Sequence, residues 1–194
     1  MTFDTRKKEL TELIPHDVES VLDIGCQNRL FEKYKTITLD VGENADIIQD
    51  LNKSQKIPLK ENEVDLVVLS QILEHLVTVD EIVTESKRVA KKYILVGLPN
   101  EVKLDTRFMY LFGKCSAWGS YVPYGHKHFF IIKNIEKFIE RFFGGYEKRY
   151  YLYGISGGRF IPLKIRKILA KIFPTLFAGQ AYYLIKVNSR SKDI

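Results

Sequence analysis

At 194 residues, 45% hydrophobic and 28% charged, the chain suits one globular domain with a sizeable core. It has no apolar run near the roughly 20 residues of a membrane span and no signal-like leader, and Cys26 and Cys115 fit neither a metal site nor a disulfide framework, so a cytoplasmic protein with free thiols is expected. The net charge of +6 is uneven: residues 1–100 carry 13 Lys and Arg against 18 Asp and Glu, and residues 101–194 carry 17 against 6, a basic half that invites an anionic partner or simply serves solubility.

Residues 5–14 read as a short helix stopped by Pro15. Ser20 to Gly25 is an apolar run ending in an acid and a glycine, a buried strand entering a turn. A brief helical stretch, Leu30 to Tyr34, leads to a second strand, Thr36 to Asp40, and a weaker third, Ala45 to Asp50. Val64 to Ser70 is the clearest strand, followed by a helix from Val79 to Lys91 and a fifth strand, Tyr93 to Leu98, closed by Pro99-Asn100. Residues 101–128 are irregular and rich in aromatic residues. A helix spans Asn134 to Phe143 with Ile135, Phe138, Ile139 and Phe142 on one face, ended by Gly144-Gly145. Tyr146 to Tyr153 and Ala181 to Asn188 read as an antiparallel pair at a sheet edge. Between them Pro162 opens a helix with Ile165, Ile168, Leu169, Ile172 and Phe173 on one face and Lys164, Arg166, Lys167 and Lys171 elsewhere.

Strands alternating with helices, several apolar on both faces, predict an α/β fold, doubly wound around a mostly parallel sheet. A single domain is expected over 1–194, with insertions at about 101–128 and 154–180. Ligands in such sheets gather beyond the carboxyl ends of the strands, at the switch point in strand order. The residues there are Asp23 and Gly25, Asp40, Asp50 and Ser70. A dinucleotide fingerprint is absent, because Gly25 is followed by Cys26-Gln27-Asn28-Arg29-Leu30, and no Gly-Lys-Ser/Thr phosphate loop occurs. What remains is an acid at the end of each of the first three strands.

In that order these residues resemble the class I S-adenosylmethionine-dependent methyltransferases, in the branch acting on small molecules, glycans and lipids. Val21-Leu22-Asp23-Ile24-Gly25-Cys26 resembles the family's opening motif, Asp40 its acid after strand 2, and Asp50-Leu51 its pair after strand 3. Val64 to Leu76, through Ser70-Gln71-Ile72-Leu73-Glu74-His75, is similar to its strand 4 motif, and Gly97-Leu98-Pro99-Asn100 to the end of strand 5. The resemblance covers about residues 18–100. It implies a seven-stranded Rossmann-like sheet with an antiparallel C-terminal edge and a helical insertion after residue 100. It also implies S-adenosylmethionine as cofactor, held by Asp23, Gly25, Cys26, Gln27, Asp40, Asp50, Leu51, Ser70 and Gln71. Asp40 would take the ribose hydroxyls, Asp50-Leu51 the adenine, and Ser70-Gln71 the methionine part. Gln27 departs from the family, which has a second glycine there, and its Cβ restricts a loop that must approach the ligand. Two readings therefore stand: a methyltransferase for a small molecule, glycan or lipid-linked acceptor, and a non-catalytic binding or scaffold protein on the same fold.

His75, His126 and His128 are the candidates for acceptor contact or proton transfer, since imidazole titrates near neutral pH. The plainer alternative is that they pack. Tyr124 to Phe130 resembles the segment before the fifth helix in methyltransferases of glycans or lipids. No metal is expected, because His126 and His128 lie one residue apart without a neighbouring Cys or acid. The aromatic stretch 104–124 reads as a lid or acceptor pocket, or as core packing. The basic helix at 162–173 reads first as an amphipathic helix packed on the domain, with an anionic membrane surface, and so a peripheral location, as the alternative. Tyrosines interleave with Lys148-Arg149, yet no nucleic-acid motif is present, and nucleic acid is not expected as a partner.

Overall fold

The computed structural model describes residues 10–26, 31–114, 125–153 and 162–187. Its strands are β1 (Ser20–Ile24), β2 (Lys35–Asp40), β3 (Ile47–Ile48), β4 (Val64–Ser70), β5 (Ala90–Pro99), β6 (Lys148–Tyr153) and β7 (Ala178–Lys186). The helices are α1 (Asp80–Val89), α2 (Leu104–Leu111), α3 (Ile132–Phe143), α4 (Leu163–Ile172) and α5 (Pro174–Phe177), and a single 3-10 turn covers Leu73–His75. One seven-stranded sheet runs in the order β3-β2-β1-β4-β5-β7-β6. The first five strands pair in parallel, and β7 lies antiparallel between β5 and β6. This is the doubly wound sheet with an antiparallel C-terminal edge expected from the sequence.

The sheet explains why β4 is the clearest strand to read. Every one of its residues is buried, and alternate side chains enter opposite cores. Val67 and Leu69 join Leu22, Ile24 and Val96 on one face. Leu66 and Val68 join Val21, Leu95 and Tyr182 on the other. Full burial of such a side chain stabilises by about 1.5–3 kcal/mol relative to exposure. Asp65 and, at the strand's end, Ser70 are the polar exceptions, and Asp65 is fully supplied with donors. Its Oδ2 accepts from Glu19 N at 3.0 Å and Ser20 N at 3.3 Å, and Lys92 Nζ lies 3.2 Å from Oδ1. Burial alone would raise its carboxyl pKa, but these donors outweigh it and hold the group below its usual range.

Helix α3 buries Ile132, Ile135, Ile139 and Phe143, the spacing of one helical face. It begins two residues before the expected Asn134, whose Oδ1 accepts from Ile131 N at 2.7 Å and so closes the first turn. Elsewhere tertiary pairing overrides local signals. Residues 31–34 form a turn instead of a helix, and the third strand shrinks to Ile47–Ile48. Helix α1 stops at Val89 because Ala90 pairs with Val64 and starts β5. Inside the stretch read as irregular, residues 104–111 form α2. Among the described residues no helix is long and apolar enough to cross a membrane.

Candidate active site

Parallel pairing sets the carboxyl ends of β1, β2 and β4 side by side: Ile24 is in register with both Leu39 and Leu69. The next residues along these strands are Gly25, Asp40 and Ser70, at the point where strand order reverses between β1 and β4. The chain turns at Gly25 with φ +76°, and a Cβ there would come within 2.9 Å of Ile72. Gly25 N donates to Leu39 O at 2.8 Å. The turn thus needs glycine for its dihedral and for its contact with the segment after β4.

Asp23 is buried, and Asp40 holds a tight turn by accepting from Gly42 N at 2.9 Å. Cys26 lies between them electrostatically. Burial pushes its thiol up to about 11, with Asp23 and Asp40 adding to the shift. Asp50 Oδ1 accepts from Asn52 N at 3.0 Å, and Leu51 sits in the core beside it. Ser70 Oγ meets the Tyr182 hydroxyl at 2.9 Å. Gln71 occupies the left-handed region at φ +60°, a costly conformation for a side chain bearing a Cβ. Its backbone N donates to Gly97 O at 2.9 Å and its Oε1 accepts from Gln180 Nε2 at 3.2 Å, while its own Nε2 is buried without a partner. Gln27 lies outside the described residues.

Beyond Gln71 the 3-10 turn delivers Glu74 and His75. Glu74 is 1% exposed, and its carbonyl accepts from Lys127 N at 2.6 Å and His128 N at 3.2 Å, which docks residues 126–128 against the turn. The rings of His75 and His126 meet edge to face at 4.7 Å. His126 Nδ1 is 2.5 Å from Glu101 Oε1, and Glu101 N in turn donates to Phe130 O at 2.9 Å. The Glu101 hydrogen bond raises the His126 pKa, burial opposes it, and the charges of Glu101 and Glu74 add to the rise. His128 packs tilted against Phe130, and its Nε2 is buried without a partner. The structure therefore joins His75 to His126 and sets His128 to one side. Glu74 and Glu101 complete the cluster; neither stood among the site residues expected from sequence. The resemblance placed Glu74 with His75 at the start of the wall between cofactor and acceptor, and Glu101 carried no signal.

Residues 22–93 match the family model described as the methyltransferase domain. The match spans less than half of the chain. No curated protein matches the chain. Among solved structures it is similar to a SAM-dependent methyltransferase from Archaeoglobus fulgidus, at 18% identity and TM-score 0.61, covering 95% of this chain and 94% of that one. It is also similar to a SAM-dependent methyltransferase from Thermotoga maritima described as a possible histamine N-methyltransferase, at 13% identity and TM-score 0.63, covering 96% and 90%. A third is phosphoethanolamine N-methyltransferase 2 from Haemonchus contortus, held with phosphomonomethylethanolamine and S-adenosylhomocysteine. It shares 10% identity and TM-score 0.56, covering 95% of this chain and 52% of that one. At these identities the likeness carries the fold.

S-adenosylmethionine is the cofactor expected from the sequence, and the residues present suit that group. The cofactor carries a sulfonium and an ammonium. Asp23, Asp40 and Asp50 set negative charge at the three strand ends where it would lie; the Cys26 thiol, raised chiefly by burial, is raised further by Asp23 and Asp40. The buried, unpartnered Nε2 of Gln71 is a donor available to an acceptor atom of a ligand.

The C-terminal half presents a different surface. On α4, Ile165, Ile168 and Ile172 are 48%, 55% and 60% exposed, and Phe173 follows at 53%. The same helix also packs on the domain, with Ala170 fully buried in the core. Lys164, Lys167 and Lys171 are exposed beside its apolar face. Helix α2 adds Phe108, Leu111 and Phe112 as further exposed apolar side chains.

Proposed function

We propose that the chain is an S-adenosylmethionine-dependent methyltransferase acting on a small-molecule, glycan or lipid-linked acceptor. The observation that carries this reading is the meeting of two sites on one segment. Residues 70–75 touch the acidic strand ends through Ile72 and Gly25, and two and three residues later they supply Glu74 and His75 to the histidine cluster. One edge would hold the cofactor and the other the acceptor.

In this reading Asp40 accepts from the vicinal hydroxyls of the ribose, a pair that one carboxylate can engage. Asp50 and Leu51 meet the adenine. Asp23, Gly25, Cys26 and Gln27 form the loop around the methionine part, with Gln71 Nε2 as a donor. The hydroxyl of Ser70 is committed to Tyr182, so Ser70 shapes the floor. When bound, the cofactor supplies a methyl group on a positively charged sulfur, which an in-line nucleophile displaces. The chain's task is then chiefly to position that nucleophile. Glu101 fixes the His126 ring, and His75 is braced against it. The two imidazoles are thereby held in place for the polar group of the acceptor, with His128 at the rim.

The exposed apolar face of α4, flanked by lysines, favours an acceptor met at an anionic membrane surface. The test of the main reading is calorimetry with S-adenosylhomocysteine, followed by transfer of labelled methyl from S-adenosylmethionine to fractionated lipids, glycans and small metabolites. One-to-one binding and label in one fraction are expected. Absence of binding would leave the non-catalytic reading of the fold.

A further inference from the structure

We propose that Glu74, His75 and His126 form a binding site for one first-row divalent cation. One ligand atom from each of these three side chains lies within 4.8 Å of those of the other two. Donors around a single such cation at about 2.1 Å stand roughly 3.4 Å apart when tetrahedral and at most about 4.2 Å apart when opposed. Side-chain rotation of about an ångström closes that gap. Two histidines and one carboxylate are a donor set that suits these metals, and three protein ligands leave further positions for oxygen atoms.

Two independent features support the site. The first is the Glu101–His126 hydrogen bond at 2.5 Å. Metal-bound histidines characteristically donate their second ring nitrogen to a carboxylate or carbonyl, which fixes the tautomer and aims the other nitrogen at the metal. With Nδ1 engaged by Glu101, the Nε2 of His126 is the ligand. The second is the burial of Glu74, at 1% exposure. A carboxylate removed from water is stabilised by a metal or by a hydrogen-bonded counter-charge. Glu74 and Glu101 together place two carboxylates against two imidazoles, and a dication balances that charge. Spacing in sequence gives no hint of this, because the ligands come from residues 74–75 and residue 126. The backbone bonds from Lys127 and His128 to the Glu74 carbonyl bring them together.

The open positions on the cation would take water or an oxygen of the acceptor, so a hydroxyl-bearing acceptor is the class favoured. That role rests on the methyl transfer proposed above; binding of the cation does not.

The probe is Co2+ alone, added to the full chain and followed by its visible absorption, with Zn2+ as competitor. One Co2+ per chain is expected, displaced by Zn2+. Glu74→Gln and His126→Gln should each weaken binding at least 100-fold, and Glu101→Gln by about 10–100-fold through loss of the orienting bond. His16→Gln, at an exposed position away from the cluster, should change nothing. Each variant is also tested for S-adenosylhomocysteine binding and thermal unfolding, so that misfolding is recognised. Folded wild type that binds the cofactor product yet takes up no Co2+ at 1 mM overturns the cation site alone. So does Co2+ binding that survives both Glu74→Gln and His126→Gln. Failure to bind the cofactor product, with Co2+ still bound, instead defeats the proposed function.

Discussion

Tyr182 lays its ring so closely over Gly97 that a Cβ on Gly97 would lie 2.2 Å from Cε1. The two are register partners across β5 and β7, and the tyrosine is fully buried with its hydroxyl on Ser70. Gly97→Ala is therefore expected to lower stability by about 1–3 kcal/mol through overpacking. Adding Tyr182→Leu should restore part of the loss, as measured by urea unfolding. Unchanged stability in the single variant would show that the ring can move aside.

Asp40→Ala should weaken S-adenosylmethionine or S-adenosylhomocysteine binding by about 1.5–3 kcal/mol, the worth of a hydrogen bond to a charged group. Calorimetry on wild type and variant measures it directly. Equal affinities would remove Asp40 from the cofactor site.

The Cys26 thiol, raised to about 11 by burial and by Asp23 and Asp40, should resist alkylation. Its neutral form persists two pH units above the ordinary thiol range, so iodoacetamide at pH 8 should react about 100-fold more slowly than with an unstructured thiol. The rate, measured in a Cys115→Ser background, should keep climbing toward pH 11. A plateau near pH 9 would mean that the acidic strand ends do not surround Cys26 as described.

Glu85 and Arg88 clamp the segment before β4 onto α1. Arg88 donates to Glu85 through Nε and Nη2, and to the carbonyls of Leu59 and Ile57. Glu85 Oε2 also accepts from Ile57 N at 2.8 Å. The Arg88 hydrogen bonds, opposed by burial and aided by Ile57 N, hold the Glu85 carboxyl below its usual range. A depressed carboxyl pKa contributes stability above the unfolded value of about 4.5, lost as pH falls through the folded value. Glu85→Gln should thus cost about 1.5–3 kcal/mol at pH 7. Urea unfolding should show the gap to wild type narrowing below pH 4. A gap independent of pH would point to packing instead of charge.

Vesicle co-sedimentation addresses the exposed face of α4. Binding to anionic vesicles but not neutral ones is expected, weakened by salt and by charge reversal at Lys164 and Lys167. Each basic residue at such a surface contributes about 1 kcal/mol. No binding at low salt would remove the membrane from the account and leave an acceptor free in solution.

The sequence by itself determined the elements that are decided locally. β1, β4 and β5 are continuous apolar runs because a central parallel strand is buried on both faces. Their acids and glycines stand where the chain leaves the sheet, so Asp23, Gly25, Asp40 and Ser70 were legible as one edge. The 3.6-residue period of Ile135, Phe138, Ile139 and Phe142 made α3 legible as well, although the face it buries is Ile132, Ile135, Ile139 and Phe143. Helix α2 was not, because Leu104, Phe108, Met109 and Leu111 are all exposed and give no buried stripe. Strand length was not either: Ala90 belongs to β5 only because Val64 lies opposite. The histidine cluster was decided by tertiary structure alone. Nothing in local pattern links Glu74 and His75 to Glu101 and His126. They meet because strand order sets the ends of β4 and β5 side by side, and because two amides of a later loop find the Glu74 carbonyl. Hydrogen bonds between distant segments depend on where the sheet places their ends, and that placement is a property of the whole fold.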